Sequence, residues 1–255
     1  MLLVVDIGNT NIGLGVYKEN DLICNFNISS IINKSSDEYG IILVNILKNF
    51  NVSKEDIDGV IIASVVPKIM HSFVSSIIKY LNIEPLIVGP GVKTGVSIHY
   101  DNPKEIGADR ITTVSGAINE YGNNLLLIDF STAISFDYID EKNNYLGGVM
   151  VPGIGVSIDA LSAKASMLPE VEIKKCDSVL ANNTVGAMQA GLYFGYLGLV
   201  ESIIERFKKE TNKDLKVIAT GGFGKVFANN SQLIDIYDGQ LSFKGLRNIY
   251  YKNRR

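Results

Sequence analysis

Asp6 ends an apolar run, Leu2-Leu3-Val4-Val5, and is followed at once by Ile7-Gly8-Asn9-Thr10-Asn11. A carboxylate at a strand tip, next to a tight turn of small polar residues, sets backbone N–H groups and hydroxyls around a concave anion site. The carboxylate itself repels phosphate, so the combination asks for a cation, Mg²⁺, between protein and nucleotide oxygens. The plainer alternative is a hairpin whose acid caps its own turn. A second copy favours the anion site: Leu126-Leu127-Ile128-Asp129-Phe130-Ser131-Thr132-Ala133 repeats Leu3 to Thr10 in residue type, with Asp129 standing 123 residues after Asp6. A repeat of nearly half the chain predicts two copies of one domain. Two strand-end acids facing one triphosphate would repel it unless each holds a cation. Late in the chain, Thr220-Gly221-Gly222 follows the apolar run Val217-Ile218-Ala219. Glycine there lets a flat ring such as adenine approach the backbone. The chain has no Walker A loop, and no GxGxxG follows its first strand.

A fourth candidate lies between the two repeats. In Lys104-Glu105-Ile106-Gly107-Ala108-Asp109-Arg110, small residues precede an acid and a base early in a predicted helix. A hydroxyl nucleophile needs an acceptor within hydrogen-bond reach, a role open to Asp109. A carboxylate-bearing acceptor needs a cation, and Arg110 offers a two-pronged donor. Taken alone, the pair reads more simply as Asp–Arg neighbours on a solvated helix face.

The elements that must position these residues follow from pattern. Leu2–Val5 reads as a buried strand, Ile12–Tyr17 and Leu22–Ile28 as two more, and Ser35/Ser36 as the cap of an amphipathic helix. Val60–Val66 reads as a strand, with Pro67 opening a helix toward Tyr80. Pro103 to about Tyr121 reads as a helix, and Leu125–Asp129, Ile134–Tyr138, Tyr145–Val151 and Lys216–Ala219 as strands. Helices are predicted over Ile154–Ser166 and Thr184–Lys209. The uncharged stretch Ser178–Val200 carries too many polar residues for a membrane span and predicts a buried helix. Within it, the stripe Gly191, Gly195, Gly198 suits close packing in the second domain or a dimer contact, the former being the simpler reading.

Composition sets the frame. The 255 residues are 46% hydrophobic and 20% charged, enough for one large or two smaller domains with real cores. A formal net charge of −3 argues against nucleic acid or an anionic membrane as partner. Two distant cysteines, Cys24 and Cys176, and two distant histidines, His71 and His99, offer neither a disulfide framework nor a zinc cluster. The start of the chain lacks the basic leader of a secretory signal, and a cytoplasmic protein is expected. The expected fold is α/β: duplicated actin-like (ribonuclease H-like) domains over 1–122 and 123–255, with mixed sheets flanked by helices and a nucleotide cleft between them.

Three of these segments, in their order, resemble the phosphate-1, phosphate-2 and adenosine motifs of the superfamily of acetate and sugar kinases, Hsp70 and actin. With Gly107-Ala108-Asp109-Arg110, Pro152-Gly153-Ile154-Gly155 and Asn183-Thr184-Val185, the chain resembles the type III pantothenate kinase family from Leu2 to the Gly245-Leu246-Arg247 region. The resemblance implies ATP-dependent phosphorylation of pantothenate to 4′-phosphopantothenate, the first step of coenzyme A synthesis. It implies that Asp6, Ile7, Gly8, Asn9, Thr10, Asn11, Ile12 and Gly13 hold the ATP phosphates, with Mg²⁺ reached from Asp6 through phosphate or water. Thr132, Gly221 and Gly222 would also bind ATP. Asp109 would be the general base, and Gly107, Ala108, Arg110, Tyr100 and Thr184 would contact pantothenate. Asp129 would bind a monovalent cation, K⁺ or NH₄⁺, in a homodimer. Two departures stand out: Ser131 where the family has glycine, and Met167 where it has lysine. If position 131 required a positive φ, serine would cost roughly 1–3 kcal/mol; facing phosphate, its hydroxyl could donate. Two other readings compete: a related small-acid or sugar kinase, and a noncatalytic nucleotide-binding regulator on the same fold.

Overall fold

The computed structural model describes residues 1–254, which fall into two compact units. In the first, β1 (Leu2–Ile7) pairs antiparallel with β2 (Asn11–Lys18) and parallel with β4 (Gly59–Ser64). With β3 (Asp21–Ser29) and β5 (Leu86–Ile87) the order is β3-β2-β1-β4-β5. Leu3, Val5 and Ile7 face α1 (Ser36–Asn49) and α2 (Pro67–Leu81), packing with Tyr39, Leu43 and Phe73. Leu2, Val4, Ile61 and Ala63 instead join Leu246, Ile249 and Tyr250 of α7 (Leu241–Asn253). Burial on both faces is why β1 reads as an unbroken apolar run. Ser35 starts α1 through a reciprocal capping box with Glu38.

The second unit repeats the arrangement. β7 (Leu125–Phe130) pairs antiparallel with β8 (Ala133–Ile139) and parallel with β10 (Lys216–Gly221). With β6 (Ser97–Ile98), β9 (Asn144–Pro152) and β11 (Ile236–Tyr237), the order is β11-β10-β7-β8-β9-β6. Apart from the added edge strand β6, this is the first sheet again. Even the burial runs of β1 and β7 agree position by position, with the acid partly exposed in each. The core of this unit gathers Leu126, Ile128, Phe130, Phe136, Val217 and Phe227. Its helices are α4 (Ile154–Lys164), α5 (Thr184–Thr211) and the short α6 (Gly224–Ala228).

Three expectations change. The second half was expected to run to residue 255, but 241–254 belong to the first unit, where α7 lies against α3 (Ala108–Tyr121). The helix expected from Pro103 is a 3₁₀ turn, Pro103–Glu105, separated from α3 by Ile106 and Gly107. The glycine stripe of α5 is not packed inside: a Cβ on Gly191, Gly195 or Gly198 would meet nothing within 4 Å. That helix begins at Thr184, after an irregular stretch in which Leu180 is 89% exposed. Among the described residues, no helix is long and apolar enough to cross a membrane.

The α3–α7 crossing brings backbones into contact. A Cβ on Gly245 would fall 1.8 Å from the Thr112 carbonyl oxygen, and one on Gly116 2.3 Å from that of Leu241. Backbone cannot yield as a side-chain tip can, so Gly245→Ala should lower the unfolding free energy by about 3 kcal/mol or more. Gly198→Ala, with open space and better helix propensity, should be neutral or stabilising by up to about 1 kcal/mol. Urea denaturation of the two variants checks the contrast.

Candidate active site

The first unit draws its chemistry to the end of β1. Asp6 lies opposite Gly13 on β2 and Ala63 on β4. The turn that follows is tied inward: Gly8 N–H donates to Asn11 O at 3.0 Å, and Ser30 Oγ donates to Gly8 O at 2.6 Å. Asn9, Thr10 and Asn11 are exposed, so their side chains are open to a ligand.

Asp109 stands in the first turn of α3, where its charge complements the helix dipole. Its Oδ1 accepts from Arg110 N–H at 2.8 Å, and its backbone carbonyl accepts from Thr112 Oγ1 and Thr113 Oγ1. A Cβ on Gly107 would sit 2.3 Å from Asp109 Oδ1, so a larger residue there would displace that carboxylate. The two carboxylates feel each other. Burial first, and then the charge of Asp109, raise the Asp6 pKa from 3.8 to about 6, while a hydrogen bond from the Ser242 side chain opposes the rise. Asp6 and Asp109 thus come together, with Ala108 and Arg110 flanking the latter. Ser242, in the first turn of α7, is a member that sequence reading missed.

In the second unit, Asp129 lies opposite Ser135 on β8 and Thr220 on β10. Gly221 has φ +85°, and a Cβ there would lie 2.6 Å from Asp129 Oδ1, so only glycine fits. At Gly222 an added Cβ would meet nothing within 4 Å, which leaves its backbone approachable by a flat ring. Tyr237 donates to Gly221 O at 3.2 Å; burial, then Asp238 and Asp129, raise its pKa. Ser131 is not among the positive-φ residues, so the feared strain does not arise; its Oγ donates to Ala133 O at 3.0 Å. Thr132 is exposed beside it. Tyr100 stacks on Tyr145 at 6.2 Å, on the β6–β9 side of the sheet, whereas Thr184 opens α5 after the Asn183 cap. These two therefore occupy separate elements of the second unit, while Gly107, Ala108, Asp109 and Arg110 lie in the first.

Among the described residues no group of three or more His, Cys, Asp or Glu converges. A cation would rest on one or two carboxylates plus water and substrate oxygens, which is the habit of Mg²⁺. Asp6, repelled by Asp109, fits that need.

A family model described as type III pantothenate kinase matches residues 2–206. The chain belongs to this family. Membership brings an ATP-dependent kinase that uses a divalent metal and a small-molecule substrate. Solved structures share the fold end to end. A Sinorhizobium meliloti protein described as a 2-dehydro-3-deoxygalactonokinase is 12% identical, with 99% of this chain and 97% of that one covered at TM-score 0.65. A Campylobacter jejuni protein assigned to the Baf family of transcriptional activators is 20% identical, with coverage of 99% and 98% and TM-score 0.63. A Porphyromonas gingivalis protein described as an N-acetylglucosamine kinase is 13% identical, with coverage of 100% and 100% and TM-score 0.52. At these identities the likeness establishes the duplicated actin-like fold, and the fold alone.

The raised Asp6 pKa makes a stability prediction for the metal-free protein. The folded state holds this proton more tightly than the unfolded chain, so the ionised group costs stability, fully above pH 6 and less as pH falls toward 3.8. Asp6→Asn should therefore raise the unfolding free energy at pH 8 by up to about 3 kcal/mol, with about half of that left at pH 5. Chemical denaturation with a chelator present, at both pH values, reads the difference.

Proposed function

We propose that this protein phosphorylates pantothenate to 4′-phosphopantothenate, the first step of coenzyme A synthesis. The observation that carries the reading is the pairing of Asp6 and Asp109 at one place in the first unit, one acid suited to a cation and the other to a hydroxyl. In the proposed reaction, Asp109 accepts the proton of the acceptor hydroxyl as its oxygen attacks the γ-phosphorus. The new O–P bond forms as the bridging P–O bond to the β-phosphate breaks, releasing ADP. Mg²⁺ bound near Asp6 supplies charge neutralisation on the phosphate oxygens. The Gly8–Gly13 stretch offers the phosphates its turn N–H groups and the hydroxyl of Thr10. Thr132 takes an ATP phosphate, and Gly221–Gly222 receive the adenosine. Arg110, Gly107, Ala108, Tyr100 and Thr184 hold the acceptor, with Arg110 supplying the cation that a carboxylate-bearing acceptor needs. Asp129 is assigned a monovalent cation, K⁺ or NH₄⁺.

The open face of α5 supports a homodimer. Gly191 and Gly195 of its stripe line an apolar groove with Leu161, Ala187, Met188 and Leu199, and a second copy of the same helix is a self-complementary occupant.

A coupled ADP-release assay with pantothenate and ATP should show turnover that rises in K⁺ or NH₄⁺ over Na⁺; no transfer to pantothenate in any of these salts contradicts the reading. Asp109→Asn should lower kcat at least ~10²-fold while leaving Mg·ATP binding and the melting temperature close to the parent's. Near-parental turnover would remove Asp109 from the base role. Gly195→Arg should convert a dimer to a monomer in sedimentation, and a parent that sediments as a monomer contradicts the assigned interface.

A further inference from the structure

The second sheet buries a carboxylate that the reaction above does not use. Asp137 of β8 is buried, and it accepts from two hydroxyls: Ser135 Oγ donates to its Oδ2 at 2.9 Å and Tyr145 Oη to its Oδ1 at 2.8 Å. A buried carboxylate is costly, and hydroxyl donors offset that cost only while they stay in place. A β-bulge brings Tyr145 there. Asp137 pairs with Gly148 and Tyr138 with Gly147, but Ile139 pairs with Tyr145, so Leu146 is skipped. Without that shift Leu146 would stand opposite Ile139, and Tyr145 would fall on the other face of the sheet, away from Asp137. Gly147, at φ +105°, takes up the distortion. Tyr100 lies against this arrangement. It follows β6, a two-residue edge strand whose strand neighbour is β9, so its own backbone fixes it weakly. His99 N–H donates to Tyr145 O at 2.9 Å, the Tyr100 ring stacks on the Tyr145 ring with centroids 6.2 Å apart, and a Cβ on Gly147 would lie 3.2 Å from Tyr100 Cε2. The half-buried ring of Tyr100 thus rests on a buried ring whose hydroxyl end is anchored inside the sheet.

We propose that Tyr145 and Asp137 are positioning residues for the acceptor site: the Asp137 carboxylate anchors the Tyr145 hydroxyl, and the Tyr145 ring so fixed holds Tyr100 where it meets the acceptor. Aromatic pairs tolerate a range of offsets, with centroids about 4.5–7 Å apart, so Tyr100 is placed only as well as the ring beneath it. A hydrogen bond at the tip of that lower ring removes the tilt that packing alone would allow. Both residues act through Tyr100, and neither is assigned a contact of its own with the acceptor. This role rests on the kinase reading above, in which Tyr100 contacts pantothenate.

Steady-state kinetics of the parent, Tyr145→Phe, Tyr100→Leu and the double variant test it, with pantothenate and ATP varied in turn. Tyr145→Phe keeps the ring and its packing, so the melting temperature should fall by no more than about 5 °C. It should raise KM for pantothenate roughly 5-fold and leave KM for ATP within about 2-fold, a split that a general loss of stability would not produce. In the Tyr100→Leu background the same change should raise KM no further, because the hydroxyl acts only through that ring. Asp137→Asn keeps one oxygen to accept from Tyr145 and should leave KM for pantothenate within about 2-fold of the parent's. A parental pantothenate KM in Tyr145→Phe, an equal rise with and without Tyr100, or a rise in Asp137→Asn as large as in Tyr145→Phe would overturn the role while leaving the kinase reading intact. A parent that transfers no phosphate to pantothenate would overturn both.

Discussion

The site of the first unit depends on a repulsion. Asp6 and Asp109 are brought close enough for the charge of one to raise the pKa of the other, in a place where burial has already raised it. Left to themselves, two such groups would separate or share a proton. They are held by their scaffolding: β1 is buried on both faces, and Asp109 accepts from Arg110 N–H at its carboxylate and from the hydroxyls of Thr112 and Thr113 at its backbone carbonyl. Function in this account begins with a local penalty that the apolar core of the unit offsets.

Duplication gives the same backbone device twice, but the surroundings differ. Asp6 has a second acid and a serine hydroxyl around it. Asp129, at the matching strand position, has instead the close backbone of Gly221 and the phenol of Tyr237. A site crowded by a second negative charge suits a divalent ion. The two halves can therefore diverge in chemistry without changing their fold, because the difference lies in a few side chains at strand ends.

Much of this was legible in the sequence because the signals were local. Apolar runs ending in Asp6 and Asp129 marked the two hairpins, and Ser35 with Glu38 marked a helix start. Pro67 at a first helical turn marked another. What was not legible depends on contacts between distant segments. α7 has Gly245 in its middle, where the Thr112 carbonyl occupies the space a side chain would need. Ser242 carries no motif, and its partner Asp6 stands at the opposite end of the chain. The stripe Gly191, Gly195, Gly198 has the same spacing whether it faces a core or a partner, so only the surrounding atoms could show that it faces outward.

Asp6 is a carboxylate whose ionisation is opposed by burial and by its neighbour Asp109. Carboxyl ¹³C NMR titration of the metal-free protein, with Asp6 assigned by substitution, measures this directly. Its midpoint should lie near 6 and fall toward the ordinary aspartate range when Asp109 is replaced by Asn. A midpoint near 4 in the parent, unmoved by that replacement, would contradict the account.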